Sequence, residues 1–149
     1  MAWTASDVFA FAMLQALENN VKPSTDSYKV ALYASGTPDK TVATAVLTEY
    51  NGAASQWVTA NESSGTGYTA GGVAVSSPTV TQTGGVVTFT SAGTPQWTGA
   101  SFSAVGGLVY DTTVSNEGLC FNWFGGTQTV TAGTFSITWN ASGICTFTT

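Results

Sequence analysis

The chain has 149 residues with eight acidic side chains, three lysines, no arginine and no histidine, giving a net charge of -5. Without clustered cations it cannot neutralise phosphates, so nucleic acid and anionic membrane surfaces are not expected as partners; without histidine it lacks the commonest general base and metal ligand. Charged residues make up 7% of the chain, against roughly 25% in an ordinary soluble domain, so solubility rests on Thr, Ser, Asn and Gln. Such a surface loses little side-chain entropy when it packs against a neighbour.

The length fits one domain with a sizeable core, read as an N-terminal helix and arm over 1–22 followed by a β-sandwich over 23–149. Thr4-x-x-Asp7 has the form of a capping box, and a helix is expected from about Ala5 to Asn20, free of Gly and Pro and ending shortly before Pro23. Its apolar residues Val8, Phe9, Phe11, Met13, Leu14 and Leu17 do not keep to one stripe. A helix apolar nearly all round wants burial on more than one side. It either covers the sheet while meeting a second subunit or sinks wholly into its own core. On the first alternative the interface candidates are Trp3, Val8, Phe9, Phe11, Met13 and Leu14. The longest apolar run, Val8 to Leu14, is far short of the roughly 20 residues of a membrane span. No basic n-region marks a secretory signal.

Beyond Pro23 nearly everything reads as β. Tyr28 to Tyr33 alternates as a half-buried strand, closed by Gly36-Thr37-Pro38-Asp39. The stretch from Lys40 to Ser64 is ambiguous, with Val42 to Tyr50 a strand or a short helical turn, followed by a polar Asn-Glu-Ser-Ser loop. Strands are then expected at Val73–Val75, Pro78–Thr83, Val86–Thr90, Trp97–Phe102, Leu108–Tyr110, Leu119–Phe124, Thr134–Trp139 and Ile144–Phe147. Gly84-Gly85 suits a two-residue turn between the second and third of these. Phe135, Ile137 and Trp139 against Thr134, Ser136 and Thr138 give the clearest alternation. Short strands at roughly ten-residue intervals predict a mainly β, antiparallel sandwich or jelly-roll-like domain with one N-terminal helix.

Chemistry is sparsely provided. A carboxylate pair of the glycosidase kind would come from among Asp7, Glu18, Asp26, Asp39, Glu49, Glu62, Asp111 and Glu117, but nearly all fall in expected turns or helix ends, where turn and cap duty is the simpler role. Asp39 and Asp111 could contribute to a calcium site, yet no EF-hand-like loop occurs. Serine or cysteine nucleophiles would lack a histidine base, and no phosphate loop is present. Cys120 and Cys145 read as buried free thiols, with a disulfide between neighbouring strands as the alternative and half a zinc shell at most. Trp57, Tyr68, Trp97, Trp123 and Trp139 either form a sugar-stacking platform or pack in the core and at interfaces. No catalytic residue, metal or cofactor is assigned.

Four blocks carry a resemblance. Lys29-Val30-Ala31-Leu32-Tyr33 with its Pro-Asp turn, Gly65 to Val75 (GTGYTAGGVAV), Ala100 to Asp111 (ASFSAVGGLVYD) and Phe124 to Trp139 (FGGTQTVTAGTFSITW) together resemble small virion proteins of tailed bacteriophages, those of actinobacterial phages most. The similarity runs from about Lys29 to about Ile144. It implies a non-enzymatic β-rich structural module made in the bacterial cytoplasm and built into the virion. Within that class the expectation is a capsid decoration protein that binds the outer surface of the major capsid lattice and reinforces the head, as a homo-oligomer, a trimer by analogy. A tail or tail-tip component contacting host-surface glycans is the alternative. Deletion of residues 1 to 20 is expected to leave a β-rich fold and abolish assembly.

Overall fold

The computed structural model describes residues 6–34, 48–53 and 55–148. Among these residues the strands are β1 (Asp7–Val8), β2 (Tyr28–Tyr33), β3 (Val73–Val75), β4 (Pro78–Thr83), β5 (Val86–Ser91), β6 (Gln96–Asp111), β7 (Glu117–Ser136) and β8 (Cys145–Thr148), with one α-helix, α1 (Ala10–Leu17), and a 3-10 turn at Thr59–Asn61. A five-stranded antiparallel sheet, in the order β1-β7-β6-β2-β3, packs with a three-stranded sheet in the order β4-β5-β8. The domain is mainly β with one short N-terminal helix, as its patterning predicts.

The N-terminal segment departs from expectation. Asp7 and Val8 pair with Phe121 and Cys120 of β7, and the Phe9 N–H donates to the Leu119 carbonyl at 3.1 Å. A sheet edge therefore takes the backbone groups that the capping box was expected to serve. α1 starts only at Ala10, with Phe9 at the N-cap and no side-chain cap bond, while Thr4 lies outside the described residues. The end agrees better: Glu18 caps α1, and Asn19 adopts a left-handed conformation (φ 62°) of the kind that stops helices. Phe9 is fully buried and packs edge-on to Trp57 at 5.7 Å and against Phe121 at 5.6 Å. The arm is thus part of the sandwich. Residues 1–20 cannot be removed without taking away an edge strand and a core aromatic.

β2 is buried along its length except at Lys29, which corrects the half-buried reading. Its two faces are both covered: Tyr28 packs on Phe89 of the second sheet at 5.1 Å, and Tyr33, on the opposite face, packs on Trp57 at 5.1 Å. Apolar residues at consecutive positions, Val30 to Tyr33, are what such a site requires.

The four strands expected in pairs around Gly106-Gly107 and Gly125-Gly126 are two long ones, β6 and β7, antiparallel from Gln96↔Ser136 to Asp111↔Glu117 with four register shifts. Gly106-Gly107 is not a turn. It lies buried mid-strand beside β2, where a Cβ on Gly107 would sit 3.0 Å from Val30 Cγ2. Gly84-Gly85 does form the turn between β4 and β5, with Gly84 at φ 58°. β2 pairs with β6 only over Gly106 to Asp111. The outer halves of β6 and β7 therefore project as a two-stranded ribbon, tied by a bridge between Thr66 and Ser101. The ribbon is tacked down by rings: Trp97 to Phe135 at 5.9 Å, Phe102 to Phe135 at 5.2 Å and Tyr68 to Phe102 at 5.4 Å. Phe135 and Ile137 are buried and Trp139 half-buried between exposed Thr134, Ser136 and Thr138, so that alternation holds.

Candidate assembly surface and buried carboxyl groups

α1 turns Ala12 inward, with 1% of its surface exposed, and leaves Met13, Leu14 and Leu17 outward at 43%, 47% and 81%. Beside it lies a groove of about 330 Å³ in which Met13 and Leu17 of α1 face Val80, Val87, Phe89 and Phe147 of the second sheet. Among the described residues no charged side chain lines it. Its walls come from distant stretches of chain: α1 and Pro23, then β4, β5 and β8, which pair as one sheet, and Leu119 of β7. Val80 stands out of a strand otherwise made of Pro, Thr and Gln, and is 38% exposed.

The sequence-based interface candidates divide. Met13 and Leu14 are exposed, Val8 and Phe11 are half-buried, and Phe9 belongs to this chain's own core. Trp3 lies outside the described residues. Leu17, in the apolar helix set but not among the candidates, is the most exposed of the large apolar residues described. Val80 and Val87 were legible only as strand positions, since the outcome of their alternation depends on where α1 lies.

The aromatic candidates for a sugar platform are largely absorbed by packing. Trp57 and Trp97 are buried, Tyr68 stacks on Trp97 at 6.2 Å, and Trp123 and Trp139 are half-buried. A separate open cleft of about 460 Å³ runs along the outer part of β7, lined by Phe124, Gln128, Thr129, Thr134 and Thr138 among others, with no charged side chain among the described residues that line it.

Three carboxyls that read as turn residues are buried in the fold: Glu62, Asp111 and Glu117. Glu62 accepts the Gly71 N–H on both oxygens, at 3.1 and 3.2 Å. Around it, Tyr110 donates to the Gly71 carbonyl at 2.9 Å and stacks on Tyr50 at 4.5 Å. The Tyr68 hydroxyl accepts the Leu32 N–H at 2.9 Å, closing the edge of β2 that β3 leaves open. Burial pushes the Glu62 carboxyl above its ordinary range, and the Gly71 N–H with the hydroxyls of Tyr50 and Tyr68 offset part of that. Burial likewise raises Tyr110, to about 12, with the Glu62 charge adding to it.

Asp111 does serve the turn after β6: its Oδ1 accepts the N–H groups of Thr113 at 2.7 Å and Val114 at 3.2 Å. Burial raises its carboxyl; those two N–H groups work against the shift and the nearby Asp26 carboxyl adds to it. Glu117 accepts the Thr48 hydroxyl, and burial raises it too. These carboxyls hold backbone and hydroxyl groups in place, which is structural work. Asp39, the other calcium candidate, lies outside the described residues. Among the described residues no group of three His, Cys, Asp or Glu side chains is placed to hold a metal ion.

Set against known proteins, the chain matches no family model, no curated protein and no solved structure.

Proposed function

We propose that the chain is a non-enzymatic structural protein of a tailed-phage virion, a decoration protein bound to the outer surface of the major capsid lattice. The observation that carries this reading is the apolar groove beside α1, with Leu17 at 81% exposure and Met13, Leu14 and Val80 exposed around it, in a chain rich in Thr and Ser. Apolar surface of this kind on a small domain marks a face that meets another protein. The four sequence blocks that resemble phage virion proteins supply the class of partner. Self-association, as a trimer by analogy, and reinforcement of the head belong to the same proposal, as does location on the virion after synthesis in the bacterial cytoplasm.

The test is copy number per particle, by quantitative mass spectrometry of purified virions, together with binding of a Leu17→Asp variant. Hundreds of copies in a simple ratio to the major capsid protein, lost with the variant, support the proposal. The chain's absence from particles overturns it. The uncharged cleft along β7, with its amide and hydroxyl lining, favours a second reading, a tail or tail-tip module for neutral host glycans. That reading expects a few copies per particle and glycan affinity that survives Leu17→Asp.

A further inference from the structure

We propose that Cys120 and Cys145 are the two halves of an oxidisable staple, forming an intrachain disulfide between the two sheets on exposure to a small-molecule disulfide such as oxidised glutathione. Cys120 lies in β7 of the larger sheet, opposite Val8 of β1 and Val109 of β6. Cys145 opens β8 of the smaller sheet, opposite Phe89. Both are free thiols, and Cys145 is the neighbour that acts most strongly on the Cys120 thiol. Both also line one open pocket of about 240 Å³, together with Asp7, Asn122 and Thr146. The two strands lie in different sheets, so the pair joins elements that no backbone ladder connects.

The two thiols differ in access, and that sets the order of events. Cys145 is half-buried at the pocket, whereas Cys120 is buried with 1% of its surface exposed. Contact with Cys145, then burial, holds the Cys120 thiol protonated, and the Asn122 amide, 3.7 Å from its sulfur, acts in the other direction. Cys145 therefore reacts first. Its thiolate attacks one sulfur of the glutathione disulfide, forming a mixed disulfide and releasing one glutathione thiolate, which takes up a proton. Cys120 then loses its proton to solvent and attacks the Cys145 sulfur, expelling the second glutathione. The two protein thiols are oxidised and one glutathione disulfide is reduced to two thiols. The link pins β8, an outer strand of four residues, to the centre of the molecule.

The full-length folded protein is incubated with oxidised glutathione, then denatured for thiol titration, intact mass measurement and non-reducing peptide mapping. The expected result is loss of both thiols, a monomer lighter by two hydrogens, a linked pair of peptides holding Cys120 and Cys145, and a thermal midpoint several degrees higher that returns on reduction. Cys120→Ser should stop at a glutathione adduct on Cys145. Two persistent thiols, a lasting glutathione adduct on the unsubstituted protein, or disulfide-linked dimers would each overturn the proposal. Thiol count and mass need no variant, so a Cys120→Ser protein that fails to fold leaves the test intact. None of these readouts depends on particle binding.

Discussion

The inner and outer halves of the β6–β7 pair are built from the same two strands and are held in different ways. The inner half is flanked by β1 on one side and β2 on the other, and every residue of β6 from Ala104 to Asp111 is buried. It faces the cluster of Phe9, Trp57, Tyr33 and Phe121. The outer half has its partner strand, one bridge to Thr66 and two of the four register shifts, with a third where it joins the body, and most of β7 beyond Phe124 is exposed or half-buried. Its rings, Tyr68, Trp97, Phe102, Phe124 and Phe135, form a smaller cluster under the curl that the bulges impose. Neighbouring strands, more than the composition of a strand, decide how much of it is buried.

The largest expected effect tests that contrast directly. Phe9→Ala opens a cavity in the inner cluster and should cost about 3–5 kcal/mol in denaturant unfolding, whereas Phe135→Ala, at the rim of the outer cluster, should cost about 1–3 kcal/mol. Equal losses would mean that the ribbon is as integral to the fold as the body.

Glycines sharpen the comparison next. A Cβ on Gly118 would meet the Phe9 ring at 2.8 Å, so Gly118→Ala should cost about 1–3 kcal/mol by overpacking. In the ribbon, a Cβ on Gly125 meets nothing within 4 Å, and only its φ of 80° resists alanine, at about 1–2 kcal/mol. A double-mutant cycle separates the causes: Gly118→Ala should be partly relieved in the Phe9→Ala background, and Gly125→Ala should add independently.

The pH response should belong to the body alone, because the ribbon strands, Gln96 to Ala104 and Gly125 to Ser136, carry no carboxyl group. Glu62, Asp111 and Glu117 are all raised by burial. The folded state therefore keeps protons that the unfolded chain gives up near ordinary values of 4.5 for Glu and 3.8 for Asp. Their contribution is whole below those values and is lost as pH rises through the folded-state pKa of each group. Unfolding midpoints should fall from mildly acidic pH toward neutrality. Glu62→Gln, which keeps the acceptor for Gly71, should flatten that slope; an unchanged slope would remove Glu62 from its origin.

The smallest effect on stability is expected at the helix face. Leu17→Asp should change unfolding by no more than about 0.5 kcal/mol, since Leu17 is 81% exposed, yet sedimentation should report loss of self-association. Normal oligomers from this variant would detach the groove from assembly.

Hydrophobic alternation made the β-class and the Phe135–Ile137 alternation legible, because a period of two is a local property that one buried face is enough to enforce, and the Gly84-Gly85 pair marked the turn between β4 and β5 by its own chemistry. The same local rules misread the N-terminus. Thr4 and Asp7 look like a helix start, but Asp7 and Val8 pair with β7, and that pairing carries Phe9 into the core. They leave Gly106-Gly107 open, since a glycine pair can mark a turn or a close approach between strands until β2 is known to lie alongside. Of the candidate surface, Met13 and Leu14 were visible as apolar helix residues, and its other wall, Val80 and Val87, was not. Glu62 read as part of a polar loop, and only Gly71 and the tyrosines folded around it make it a buried acid. Composition and periodicity thus determined the class of fold and the scarcity of charge chemistry, since both follow from which residues are present and at what spacing. Burial of Phe9 and Glu62, the groove beside α1 and the meeting of Cys120 with Cys145 were decided by tertiary structure, because each depends on contacts between segments far apart in the chain.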